Sequence, residues 1–130
     1  MPDEMTLDGL LMAVEIVNGH LDSAVGSAYQ DQPLAHTWAR VTKVCEEAGE
    51  VWRALSKLTG ENPRKGVCGT RDELLGELGD TVSAGLCAIQ HLTDDTSETW
   101  AVVSAALVKA CQRVDDHAPA ALLGEGSTDA

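Results

Sequence analysis

Apolar side chains that recur every three and four residues constrain this chain more than any other feature. Leu7, Leu10, Leu11, Val14, Val17, Leu21 and Val25 follow i, i+3, i+4, i+7 spacing, which places them on one stripe of a 3.6-residue helix. Thr6 stands where an N-terminal cap belongs. No segment shows the sustained alternation of β-branched and polar residues that marks a strand. Gly26 and the stretch from Tyr29 to Pro33 interrupt the pattern, and a second helix is expected from about Leu34 to Leu58. Its apolar stripe is Val41, Val44, Ala48, Val51, Trp52 and Leu55, and Thr59-Gly60 with Asn62-Pro63 end it.

Thr70 and Glu73 form a capping box at the start of a third helix, each side chain placed to satisfy the other's free backbone N–H. From Thr81 to Gln90 this helix carries no charge, so its later half is expected to be buried on most sides. Asp95 and Glu98 give a second box-like start, and a fourth helix runs from about Thr96 to Val114. The expected fold is all-α, a four-helix arrangement in one domain over residues 1–118. Pro119 closes it, and residues 119–130 read as a flexible C-terminal tail. With no Phe, three Trp and one Tyr, the core has to be built from Leu, Val and Ala.

Charge and cysteine usage exclude several classes. The formal net charge of −12 disfavours a nucleic-acid polymer as partner, because such affinity comes from Lys and Arg neutralising phosphates. No apolar run approaches the roughly 20 residues of a membrane-spanning helix. The acidic start, Met1-Pro2-Asp3-Glu4, is unlike a secretory signal. Cys45, Cys68, Cys87 and Cys111 contain no CxxC pair and read as small buried hydrophobes rather than a zinc site or disulfide framework. A cytoplasmic protein is the expectation.

One basic turn stands out in this acidic chain: Gly60-Glu61-Asn62-Pro63-Arg64-Lys65-Gly66. It lacks the Gly-Lys-Ser/Thr run and the strand–helix setting of a P-loop. It reads either as a solvated turn or as a mobile basic flap that reaches a phosphate chain.

The chemistry concentrates in carboxylates. Glu46, Glu47 and Glu50 lie on the second helix, Glu77 and Asp80 on the third. At about 100° per residue, Glu47 and Glu50 are about 60° apart and Glu46 about 40° from Glu50 on the other side, so all three share a face. Glu77 and Asp80 repeat the i, i+3 geometry, and antiparallel packing of the two helices brings both acidic faces to one point. Clustered carboxylates repel one another, and Asp80 borders the charge-free stretch, so a compensating cation is required. Oxygen-only ligands suit Mg²⁺, with Mn²⁺ as a substitute, better than zinc. Arg40, Lys43 and Arg53 flank the Glu stripe, and the second helix alone also fits an ordinary salt-bridged surface. A di-iron bundle is excluded because none of His20, His36, His91 and His117 follows a Glu by three.

Glu46-Glu47-Ala48-Gly49-Glu50, a gap of 26 residues, and Glu77-Leu78-Gly79-Asp80 resemble the EExxE…ExxD signature of the MazG-like all-α nucleoside triphosphate pyrophosphohydrolases. The resemblance covers roughly Thr37 to Val114, and the Asn62-to-Gly66 turn resembles the connector of some bacterial members. It implies a four-helix MazG-like bundle, completed by oligomerisation into a homodimer or homotetramer. It also implies Mg²⁺-dependent hydrolysis of (deoxy)nucleoside triphosphates to monophosphate and pyrophosphate, in nucleotide-pool sanitation. By the same resemblance Glu47, Glu50, Glu77 and Asp80 hold the metal, and Glu46 is an outer ligand or the group that orients or deprotonates the attacking water. Lys109 and Arg113 on the last helix, with Lys43 and Arg64, are candidates to contact phosphate, and Trp38 and His36 to contact the base. The fourth helix lacks the Asn that some relatives place near the nucleotide. The alternative is a catalytically silent helical module that binds nucleotide or metal for regulation.

Overall fold

Capping chemistry sets the helix boundaries. The computed structural model describes residues 6–26 and 28–117, without the side chains of residues 25 and 114–117. Among these residues four helices and no strand occur: α1 (Leu7–Gly26), α2 (Pro33–Thr59), α3 (Arg71–Thr93) and α4 (Thr96–His117). The all-α, four-helix expectation holds. The tail expected at 119–130 and the acidic N-terminus lie outside the described residues.

Thr6 caps α1, its hydroxyl accepting from the Gly9 N–H at 3.1 Å. α2 opens on Pro33, which has no N–H to leave unsatisfied at the first helical position. The capping box at α3 is complete: the Glu73 N–H donates to Thr70 Oγ1 at 3.1 Å, and the Thr70 N–H to Glu73 Oε2 at 2.8 Å. The box expected at α4 is only half formed. The Glu98 N–H donates to Asp95 Oδ1 at 2.7 Å, but the Asp95 N–H faces the Thr93 hydroxyl at 3.5 Å instead of Glu98. Replacing Thr70 by Ala is expected to cost about 1 kcal/mol, read as a lowered urea midpoint at unchanged slope.

Two glycines allow the α2–α3 connector to turn back tightly. Gly60 ends α2 in the left-handed region (φ 68°), and a Cβ there would stand 2.9 Å from Val67 Cγ2. Gly69 passes so close to the end of α2 that a Cβ would fall 2.8 Å from Lys57 Cβ. That approach lets the Lys57 carbonyl accept from both Cys68 and Gly69 N–H, at 3.1 and 3.2 Å. Between the glycines, Asn62 organises the basic turn. Its side chain accepts from the Arg64 N–H at 3.1 Å, and its carbonyl accepts from Lys65 and Gly66.

α2 and α3 run antiparallel and form the largest helix–helix contact, with α1 and α4 packed mainly on α3. Thr37 near the start of α2 meets His91 near the end of α3, while Lys57 meets Gly69 at the opposite end. α4 is tied to α1 by the Thr96 hydroxyl, which donates to Glu15 Oε1 at 2.5 Å.

The core differs from the one the periodicity suggests. Its buried apolar members are Val14, Ala54, Cys87 and Ala88, joined by the polar Asn18, Arg40, Gln90 and Thr99. The polar members are paired internally; the Thr99 hydroxyl donates to Gln90 Oε1 at 2.8 Å and lies 2.9 Å from Thr93 Oγ1. On α2 the expected stripe is misplaced. Val41, Ala48, Trp52 and Leu55 are exposed, Trp52 at 62%, whereas Ala54 and Arg40 are buried. Arg40, which an ordinary salt-bridged surface on α2 would leave in solvent, is 6% exposed. The apolar side chains that α2 and α3 bury are small ones, Ala54, Cys87 and Ala88, while the bulky apolar groups stay outside. The charge-free half of α3 is buried only from Cys87 onward; Val82 and Ser83 are exposed, as is Asp80.

Candidate metal centre and adjoining cavity

Antiparallel packing brings three of the five predicted carboxylates together. One oxygen each from Glu47, Glu77 and Asp80 lies within 4.8 Å of the others. Glu47 comes from the middle of α2, and Glu77 and Asp80 from consecutive turns of α3, as their i, i+3 spacing requires. Like charges at 4.8 Å repel by roughly 1 to 3.5 kcal/mol per pair for dielectric constants of about 80 to 20. The only described cation in contact with the trio is Lys43, whose Nζ lies 2.5 Å from Glu47 Oε1 and 3.2 Å from Glu46 Oε1. Those two carboxylates raise the Lys43 pKa above its usual value, Glu47 contributing most, so the ammonium stays charged. One charge against three carboxylates leaves the trio negative. All its donor atoms are carboxylate oxygens, which fits a hard divalent cation such as Mg²⁺.

The remaining two carboxylates stand apart from the trio. Glu50 is held by Arg53, whose Nη1 donates to Oε2 at 2.7 Å. Glu46 is exposed and, among the described residues, reaches only Lys43. The three-carboxylate group therefore lacks the fourth ligand the resemblance implies, Glu50, which would have to leave Arg53 to join it.

A cavity of about 400 Å³ adjoins the trio. Glu47, Asp80 and Lys43 form one part of its wall; Val17, Leu21, Ala39, Ala84 and Cys87 form an apolar part, with Arg40 and Ser83 between them. Burial pushes the Cys87 thiol pKa up, so the wall is neutral there. Charged groups at one side and an apolar slot at the other suit a ligand with an anionic end and a flat, weakly polar end.

The other predicted contacts are placed elsewhere. Trp38 is 64% exposed and does not line this cavity. His36 is half-buried and faces Asp22 and His91. Lys109 and Arg113 lie on the exposed outer part of α4, a helix without appreciable contact to α2. Arg64 sits exposed in the hydrogen-bonded turn, which is ordered by Asn62 rather than an unstructured flap. A second cleft of about 320 Å³ lies against that turn, and there Lys65 joins Arg53 and Lys57. Of the four candidate phosphate contacts, Lys43 alone lines the cavity beside the trio.

Arg40 is the residue the sequence reading missed. It lies on the cavity wall with its guanidinium buried, donating from Nη2 to Asn18 Oδ1. Asn18 in turn donates from Nδ2 to Asp22 Oδ2 at 2.9 Å. A signal was present: Asn18 and Asp22 form an i, i+4 polar pair interrupting the apolar stripe of α1.

All four cysteines are free, and only Cys87 is buried. No described helix is long and apolar enough to cross a membrane. Comparison with known proteins returned no match to any family model, any curated protein or any solved structure.

Proposed function

We propose that this chain is a Mg²⁺-dependent nucleoside triphosphate pyrophosphohydrolase of the MazG-like type, releasing monophosphate and pyrophosphate. The observation that carries the reading is the convergence of Glu47, Glu77 and Asp80, of which Glu47 and Asp80 line a half-apolar cavity. The EExxE…ExxD pattern of the sequence supports it.

On this reading Glu47, Glu77 and Asp80 hold the ion, with Glu50 joining when it leaves Arg53. Mg²⁺ supplies neutralisation of the charge that develops on the phosphate oxygens during displacement. Lys43 moves from Glu47 to the phosphate chain and offers it an ammonium. Glu46, exposed and one residue from Glu47, orients or deprotonates the attacking water. The apolar wall from Val17 to Cys87 receives the base, and Arg40 stands where a polar edge of that base would reach.

The exposed Met12, Ile16, Trp38, Val41 and Val82 support assembly into a homodimer or homotetramer, since apolar surface of this extent gains by burial between copies. The four free thiols favour a reducing, cytosolic setting.

A second reading, binding without turnover, is favoured by the ion pairs that engage Glu47 and Glu50. Product release separates the two. A panel of ribo- and deoxyribonucleoside triphosphates is incubated with Mg²⁺ or chelator. The expected result is chelator-sensitive release of pyrophosphate and monophosphate in equal amounts. Metal-dependent nucleotide binding with no product would establish the silent module instead.

A further inference from the structure

A second group of metal-binding side chains, on the other side of Arg40, comes from three helices. Asp22 lies near the end of α1, His36 in the first turn of α2 and His91 in the last turn of α3. Asp22 Oδ1 is 3.4 Å from His36 Nε2 and 3.4 Å from His91 Nδ1. One donor atom from each residue lies within 4.8 Å of the other two. The imidazoles are tilted by 54° with centroids 4.5 Å apart, so they converge rather than stack face to face. Asp22 Oδ1 and His36 Nε2 are shut off from solvent and form no hydrogen bond among the described residues.

We propose that Asp22, His36 and His91 form a site for a first-row divalent transition ion, with Zn²⁺ as the best fit. A tetrahedral Zn²⁺ with N and O ligands at about 2.0–2.1 Å separates those ligands by about 3.3–3.4 Å. Two of the three edges already have that length. The surrounding groups set the donor atoms as a metal site requires. The Thr37 hydroxyl is 3.1 Å from His91 Nε2; accepting that N–H leaves the Nδ1 lone pair facing Asp22. Asn18 occupies Asp22 Oδ2 and leaves Oδ1 free. Arg40 Nε, 3.9 Å from Oδ1, is too distant to occupy its lone pair. Three protein donors leave the fourth tetrahedral position for a water that would enter with the ion.

Two nitrogens and one oxygen select a borderline ion, whereas the all-oxygen trio selects Mg²⁺. The chain thereby keeps two kinds of cation apart. The ion would pin α1, which has little contact of its own with α2, and fix the α1 side of the cavity at Val17 and Leu21. The site uses no residue of the pyrophosphohydrolase centre, so the two proposals stand or fall separately.

The test is a Co²⁺ titration of the full, chelator-stripped chain in a non-coordinating reductant, followed by Zn²⁺. One equivalent of Co²⁺ is expected to give visible absorption of four- or five-coordinate N/O ligation, with no thiolate charge-transfer band from the exposed cysteines. Zn²⁺ should displace it, raise the melting temperature, and shift the imidazole NMR signals of His36 and His91 but not that of His20. His91→Gln and Asp22→Asn should each weaken Co²⁺ binding at least tenfold, while Glu47→Gln leaves it unchanged. The proposal is overturned if wild-type protein shows no such one-equivalent band, if the band is thiolate-derived, or if His20 alone responds to Zn²⁺. The cluster is then a polar contact among Asp22, His36 and His91 that holds no ion. The wild-type spectra decide the matter even if a variant fails to fold.

Discussion

Asp80→Asn is expected to lower Mg²⁺-dependent pyrophosphate release by at least about 100-fold, the scale on which single charge-stabilising groups act in active sites. Stability should move the other way. Asp80 lies within 4.8 Å of Glu47 and Glu77, and removing one of three like charges relieves repulsion in the metal-free protein. The substitution retains size and shape on an exposed turn of α3, so no cavity is opened. The metal-free melting temperature should therefore hold or rise while activity collapses. Mg²⁺ should raise the wild-type melting temperature, because an ion that binds only the folded state stabilises it. That response should be lost in the variant. A solubilising acidic surface makes the opposite forecast: unchanged activity, and indifference to Mg²⁺ in both proteins.

The largest expected stability effect belongs to Arg40. Arg40→Ala should cost about 3 kcal/mol, the lower end of what breaking a buried charged contact costs. The loss strands Asn18 Oδ1, which accepts from Nη2, and removes the cation nearest Asp22 Oδ1 among the described residues. It also empties the volume of a long side chain at a contact where few large residues are buried. For a domain of about 100 residues, 3 kcal/mol corresponds to a fall in melting temperature of roughly 12–24 °C. Arg40→Met, which keeps the stem and loses the guanidinium, separates packing from polar loss. A small effect for Met with a large one for Ala assigns the cost to volume. The comparison belongs in chelator-stripped protein, where Asp22 has no other cation to lean on. A surface arginine would lose no more than about 0.5 kcal/mol in either variant.

The elements were legible in the sequence because helix signals are local. The Thr70/Glu73 box needs only four consecutive residues and formed as expected. Gly60 likewise terminates α2 in the left-handed conformation expected of a glycine stop. The meeting of Glu47 with Glu77 and Asp80 was also foreseeable, since two i, i+3 acidic pairs on adjoining antiparallel helices have one way to face each other.

What failed was the choice of buried face. Counting Trp52 and Leu55 toward the core assumes that large apolar groups pack inward, yet the apolar side chains that α2 and α3 bury are the small Ala54, Cys87 and Ala88. Periodicity gives the phase of a stripe but not which neighbour covers it, and exposed Trp52 and Val82 show the difference. The pairing of Arg40 with Asn18 and Asp22, and the Asp22–His36–His91 group, were illegible for a related reason. Their partners are separated by 14 to 69 residues, and only the docking of α1 and the end of α3 onto the start of α2 joins them. The partners of Lys43 and Arg53 are within one helical turn and follow from spacing alone.

The most direct test of the central claim is hydrolysis of a nucleoside triphosphate in ¹⁸O-water with Mg²⁺, with the products weighed by mass spectrometry. Cleavage between the α- and β-phosphates predicts one ¹⁸O, in the monophosphate for attack at the α-phosphorus or in the pyrophosphate for attack at the β-phosphorus, with no orthophosphate and with both products absent in chelator and in Asp80→Asn. Labelled orthophosphate in place of monophosphate and pyrophosphate, or release that persists without metal, would contradict the assignment of Glu47, Glu77 and Asp80 as the centre of a pyrophosphohydrolase.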